Sequence, residues 1–419
     1  MPSDPQDAMR PLVLTPEEQL AIAEEAERVI AETLATNELF VASGRKLPRH
    51  EWKRLKSKEN LHVYRSRRTD PSECVDGDDD EEDEEESFSS TNSSSALPAT
   101  KANPSISSSS ASSDKSDSNT TRSVIGIMKP TDTPLVIATG IIPGTVEDAV
   151  FGSQGHTPQL WRFRDAHMND RDDCMKILAT IVSPTPEEPL KSLSLKWVLN
   201  NINPLSRARD AVYIEATGMA RDARGEPFGY YLLHSLDKIA RIPGLGHLDI
   251  VRAQISTCCI SRANDQSSFE FFCRGFSELG GNFSATLGNA MYAQYLLNAV
   301  DVVDFAYIKK LLWLVHKKRS CGSAALTACL SPEPSDCAIC TGKLSKLGHL
   351  LYKGVSCEAC QLAVCRKCSV VKKVPIDDPS SRQVTMKTLS FCVPCMIEAK
   401  EAPTDEVAVA LMESMPTWC

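Results

Sequence analysis

AVYIEATG (211–218), FGYYLLHSL (228–236), VRAQISTCCIS (251–261) and FEFFCRGFS (269–277) follow one another in the middle of a 419-residue chain, separated by turn-forming Gly, Pro, Asn and Asp. In VYIEATG and VRAQIST, large apolar residues alternate with small or polar ones, the period of a half-buried strand. KILATIVS (176–183) and SLSLKWVL (192–199) extend the series toward the N-terminus, and LHVYR (61–65), VIGIM (124–128) and PLVIATGII (134–142) extend it further. Short strands joined by tight turns predict a curved antiparallel sheet with one face turned inward.

Helical patterns bracket the strands. Thr15-Pro16-Glu17-Glu18 supplies an N-cap, a proline at the first helical position and a glutamate at N3. Leu20, Ala23, Val29, Ile30 and Leu34 then recur at helical spacing to about Leu39. A basic stretch, Arg45 to Lys58, leads into LHVYR. Gly144 to Phe151 predicts a short helix between strands. A long helix is expected from about Ser284 to Lys318, with a break near Asp301–Asp304 and basic residues Lys317, Lys318 and Arg319 suiting its C-terminal dipole.

Residues 70–122 interrupt this order. DDDEEDEEE (78–86) is followed by a serine-rich stretch with almost no large apolar side chains. Such a composition buries too little surface to offset chain entropy and predicts disorder. The formal net charge is −9, and the acidic run alone holds nine carboxylates, so the remainder is neutral. The acidity belongs to the insert and not to a folded surface.

The sequence of helix, strands, short helix, antiparallel strands and long helix resembles the START lipid-binding domain, a helix-grip fold. EWKRLKSKENLHVYR (51–65), PLVIATGIIPGTVEDAVFG (134–152), AVYIEATG and the closing helix carry the resemblance, which spans roughly 50–318 without the insert. It is one of pattern and segment order, with no invariant motif. It implies a hydrophobic cavity between sheet and C-terminal helix, holding a lipid or other hydrophobic ligand; ligand-binding residues stay unassigned. The alternative is a filled interior and a protein-interaction adaptor.

The last quarter of the chain holds eight cysteines in four C-x2-C pairs, separated by sixteen, four and twenty-three residues. Eight thiolates at such spacing predict two structural zinc ions, each with four sulfurs and no open position. The four-residue gap is too short for separate modules and suits a cross-brace. Cys337, Cys340, Cys365 and Cys368 are therefore assigned to one Zn2+, and Cys357, Cys360, Cys392 and Cys395 to the other. The spacing looks like the FYVE and FYVE-related fingers, but the basic motif that the family uses for phosphatidylinositol 3-phosphate is missing. Lys353-Gly354-Val355-Ser356 precedes Cys357, and Glu358 stands where the family has an arginine. The loss of cations argues against charge-assisted headgroup pairing. The resemblance then points to a protein partner of the finger, a small GTPase among them. Lys353, Arg366, Lys367, Lys372 and Lys373 form a weak basic docking face for a peripheral anionic membrane.

No P-loop, H-E-x-x-H or G-x-G-x-x-G occurs, and GFSEL (275–279) lacks the last glycine of a nucleophile elbow. The eight histidines are scattered, and no basic stripe with interleaved aromatics suggests nucleic acid. MPSDPQDAMR has neither a basic start nor an apolar h-region, and no run reaches the ~18 apolar residues of a membrane span. Sixteen cysteines in such a chain favour metal ligation over disulfides. The expectation is a non-enzymatic α+β protein of the cytoplasm, peripheral on endomembranes. It comprises an N-terminal helix and lead-in (1–44), a START-like helix-grip domain (45–320) with its insert, a linker (321–334), a cross-brace zinc finger (335–400) and a C-terminal tail (401–419).

Overall fold

The computed structural model describes residues 4–67, 123–168, 174–202, 206–236, 242–320, 335–344, 354–377 and 384–413. The acidic and serine-rich insert and the 321–334 linker lie outside them. Nine strands form one sheet: β1 (Trp52–Lys58), β2 (Leu61–Ser66), β3 (Val136–Pro143), β4 (Cys174–Val182), β5 (Ser192–Asn200), β6 (Arg209–Arg221), β7 (Pro227–Ser235), β8 (Val251–Ala263) and β9 (Ser268–Glu278). Their spatial order is β1-β2-β3-β9-β8-β7-β6-β5-β4. All neighbouring pairs are antiparallel, and a short parallel contact joins Arg209–Ala211 to Val251–Ala253.

The sheet has two covered faces where the alternation predicted one. Helix α2 (Pro16–Ala42), preceded by the single turn α1 (Pro5–Ala8), lies across one face. Its capping box forms as the sequence predicts, with Thr15 and Glu18 exchanging side-chain to backbone hydrogen bonds. The helix buries Ile22, Ala26, Val29, Thr33 and Asn37, while Leu20 is 61% exposed. Against this line pack Leu195, Trp197, Ile214 and Leu232. The residues between them in sequence, Lys196, Val198, Tyr213, Glu215, Tyr231 and Leu233, point the opposite way, toward Trp161, so period two sorts one strand set between two interiors. Burial on both faces explains why β5 is buried from Ser192 to Leu199.

Helices α4 (Val146–Ser153), α5 (Pro158–Met168), α6 (Ala285–Leu297) and α7 (Ala299–Ser320) cover the second face. The fold class is therefore α+β helix-grip, with a long C-terminal helical segment held by the sheet. The helix break falls at Asn298, earlier than expected, and Asn298 Nδ2 reaches the Met168 carbonyl at 3.5 Å. VIGIM, expected as a strand, is a helix, α3 (Val124–Met128). Ser123 Oγ accepts from Gly126 N, and the Glu32 carboxylate accepts from Val124 N at 2.6 Å, so a side chain of α2 caps the turn and overrides the β-branched composition.

The cysteine-rich segment adds two small ladders, β10 (Gly354–Ser356) with β11 (Ala363–Cys365) and β12 (Ser369–Asp377) with β13 (Val384–Cys392), followed by α8 (Val393–Glu401). It shares a core with the larger domain: Phe163, Phe305, Ile308, Leu312 and Val315 pack with Val364, Leu389, Phe391 and Met396. The expected tail contains a helix, α9 (Thr404–Glu413), whose Val407, Ala408 and Leu411 bury against Val150, Phe151 and Leu190.

Candidate functional site

Between the second sheet face and α4–α7 lies a cavity of about 1250 Å³. Period two on β6–β9 places Tyr213, Leu233, Ile255, Thr257, Cys259 and Phe271 in its wall. Helix α5 contributes Trp161, Arg164, Asp165 and Met168, and α6 contributes Gly288, Met291, Tyr292 and Tyr295. More apolar and aromatic than polar surface lines the cavity, but polar and charged groups such as Arg164, His167, Asp210, Gln254 and Asp304 are spread through the wall.

Arg164 and Asp165 of this wall belong to a buried charged cluster behind it. Glu215 on β6 accepts from Arg164 Nη2 at 2.9 Å and from Lys196 Nζ at 2.6 Å, and all three are buried. Arg164 also pairs with Asp165 at 3.4 Å, and Lys196 donates to the Gly155 carbonyl and lies over the Trp161 ring. Burial works against the Glu215 carboxylate, but Arg164 and Lys196 outweigh it and hold the group at about 2. Burial lowers Lys196, against the pull of Glu215. His156, beside this cluster, is held neutral: burial first, then the Lys309 and Lys196 charges, bring it down to about 4. Among the described residues its Nδ1 has no hydrogen-bond partner. Elsewhere in the wall Thr257 and Tyr292 share a 2.6 Å hydrogen bond. None of these residues was assigned a role from the sequence, because a lone Glu or Lys in a strand does not disclose which face it takes.

In the finger, the first and third cysteine pairs converge, as do the second and fourth. The sulfurs of Cys337, Cys340, Cys365 and Cys368 lie within 4.8 Å of one another, and so do those of Cys357, Cys360, Cys392 and Cys395. Cys340 and Cys365 are 3.7 Å apart, and Cys360 and Cys392 are 3.8 Å apart. A tetrahedron with metal–sulfur bonds of about 2.3 Å has edges of about 3.8 Å, so both donor sets fit a four-thiolate metal ion. The two ligand turns are built alike. Thr341 and Gln361, each just after a pair, take left-handed backbone (φ 54° and 60°), and their N–H groups bond back to the Cys337 and Cys357 carbonyls.

The basic face is divided. Arg366, Lys367 and Lys373 are exposed. Lys372 is turned inward and ion-paired with Asp304 of α7, so it is a contact between finger and helix. Lys353 lies outside the described residues. Two further charges have roles that the sequence did not disclose. Glu358 takes Arg319 at 3.1 Å, and Lys318 reaches Glu398 at 2.5 Å and Cys395 Sγ at 3.3 Å. The basic end of α7 thus binds the finger.

No family model and no curated protein matches this chain. Solved structures do. The chain is similar to the human StarD13 (DLC2) lipid transfer and protein localization domain, at 10% identity and a TM-score of 0.34, over 65% of this chain and 95% of that one. It is similar to human StAR-related lipid transfer protein 5, at 10% identity and a TM-score of 0.36, over 66% and 96%. It is also similar, over 41% of its length and 92% of the other chain, to an aromatase/cyclase from Streptomyces, at 11% identity and a TM-score of 0.23. Likeness at this level carries no argument about activity, and the helix-grip assignment rests on the strand order and helix packing above. Among the described residues, no helix is long and apolar enough to cross a membrane.

Proposed function

We propose that this chain is a non-catalytic carrier of a hydrophobic ligand, with a two-zinc finger fixed to its flank for docking. The observation that carries the reading is the cavity of about 1250 Å³ between sheet and helices, which a filled adaptor domain would lack. An acyl or ring system held in this half-open cavity gains about 25 cal/mol per Å2 of apolar surface withdrawn from water. Arg164, one cation of the wall, is already engaged by Glu215 and Asp165, which favours binding over chemistry at that point. The ligand class is a lipid or similar molecule.

The metal is zinc at both thiolate sets, and its contribution is folding free energy for a small module. Cys337, Cys340, Cys365 and Cys368 hold one ion and Cys357, Cys360, Cys392 and Cys395 the other. The exposed Arg366, Lys367 and Lys373 leave a face for a protein partner, such as the small GTPases of related fingers, or for an anionic endomembrane surface. The location that follows is cytoplasmic and peripheral. Working boundaries are 45–320 for the cavity domain and 335–400 for the finger.

Native mass spectrometry of the chain purified from its own cells tests this directly. Two zinc ions and a released lipid are expected. Two zinc ions with no lipid, also after incubation with membranes, would overturn the carrier reading in favour of an adaptor.

A further inference from the structure

Residues 45–67 contain nine Lys and Arg and two Asp and Glu, in a chain whose net charge is −9. They form the outer edge of the sheet, since β1 is its terminal strand. Lys46, Arg49, Lys53, Arg54 and Lys56 are all exposed. Lys53 stands directly opposite Arg65 in the β1–β2 ladder, an arrangement of like charges that costs folding stability. Folding uses part of the set: Arg45 pairs with Glu270 at 2.7 Å and Lys58 with Asp301 at 2.8 Å. Among the described residues Lys56 reaches an uncharged amide, Gln294 Oε1, at 3.2 Å.

That amide connects the cationic edge to α6. One turn apart on this helix, Leu287 and Met291 are 48% and 37% exposed. Met291 and Gln294 also belong to the cavity wall. One continuous face therefore carries exposed cations, two exposed apolar side chains and part of the wall of the proposed ligand site. A nucleic acid or an acidic protein would satisfy the cations but offers nothing apolar to Leu287 and Met291. A bilayer with anionic headgroups meets both, through attraction of each Lys and Arg near its surface and shallow burial of the apolar pair.

We propose that the face built from β1 and the exposed side of α6 docks on anionic bilayers and turns the α6 wall of the cavity toward the lipid. The second half rests on the carrier reading; the docking itself does not. The test is flotation of the full zinc-loaded chain with vesicles of phosphatidylcholine alone or mixed with phosphatidylserine. Binding to the mixed vesicles only, weakening with salt, is expected. Replacing Lys53, Arg54 and Lys56 together with Glu should weaken it by on the order of a hundredfold or more, from ~1 kcal/mol for each cation removed. Leu287→Ser should weaken it further. An unchanged zinc content and melting midpoint shows that the variants fold, and Lys53→Gln with Arg54→Gln is the milder pair if the triple change does not. Equal binding to both vesicle types, no binding, or a triple variant that floats like the parent would overturn the docking face, as would loss of duplex-DNA binding in the triple variant with vesicle binding unchanged. Vesicle binding by a chain that holds no lipid would leave the docking face standing and remove the carrier reading.

Discussion

Glu215 is a buried carboxylate between two buried cations, and its environment was built by three separate elements: β5, β6 and α5. Removing the charge leaves Arg164 and Lys196 without their counter-ion, and breaking a buried pair in this way costs about 3–5 kcal/mol. Glu215→Gln should therefore lower the unfolding free energy by about that amount in urea titration, and a loss below ~1 kcal/mol would mean that water reaches the cluster. His156 gives an acid dependence of known sign. Its folded value, about 4, lies below the ordinary 6.5, so the unfolded chain takes up the proton first. Stability is unaffected by this group above pH 6.5 and falls as pH drops toward 4, by up to about 3 kcal/mol. Glu215 acts in a lower window, because its depressed carboxyl stabilises the fold above its unfolded value of 4.5 and loses that contribution as pH falls toward about 2. In His156→Leu the loss between pH 6.5 and 4 should be visibly smaller, and an unchanged slope would show that His156 stays neutral for no energetic reason.

At the scale of elements, α4 and α7 approach each other closely at Gly152. A Cβ on Gly152 would stand 2.1 Å from the Val302 carbonyl oxygen. In an exposed helix Gly→Ala stabilises by about 0.5–1 kcal/mol. Here the sign should reverse: Gly152→Ala pushes α4 off α7 and should cost about 1–3 kcal/mol, read as a lowered melting midpoint. A raised midpoint would mean that the helices separate freely. The displacement would also reach the cavity, since Ala149 and Val150 of α4 line it. The short helix α3 illustrates the same dependence on neighbours, for its start is capped by Glu32 of another helix. Glu32 is itself drawn to Arg274 of β9, so one carboxylate joins α2, α3 and the sheet.

On the scale of the molecule, the finger and the cavity domain share one apolar core, and α9 returns to lock onto α4 and α7. Thr404 donates to Asp148 at 2.8 Å, and Asp148 pairs with Lys310 at 2.7 Å, with all three side chains buried. Metal removal should therefore be felt beyond the finger. Chelation, or Cys360→Ser, is expected to lower the melting of the whole chain within a single calorimetric transition, because Phe305, Leu312 and Val315 lose their cover. Two transitions, with the larger one unmoved, would show that the shared core contributes little cooperativity.

The sequence by itself determined what depends on short-range chemistry. C-x2-C spacing carried the two thiolate sets, the Thr15–Glu18 box carried the start of α2, and period-two alternation carried most of the central strands. The lesson ends where a residue's role depends on distant chain. Alternation separates two faces of a strand without saying that both are buried, and only the packing of α2 decided that Trp197 joins one interior and Lys196 the other, beside Trp161 and Glu215. Helical spacing in α6 did not disclose that Leu287 is left exposed while Met291 reaches the cavity wall, nor could VIGIM show that a distant glutamate would cap it. Glu358, Lys372 and Lys318 read as surface charges until tertiary contacts made them the seam between finger and helix. Local geometry is encoded within a few residues, whereas the partner of a charge or an apolar side chain is chosen by whichever element the fold brings beside it.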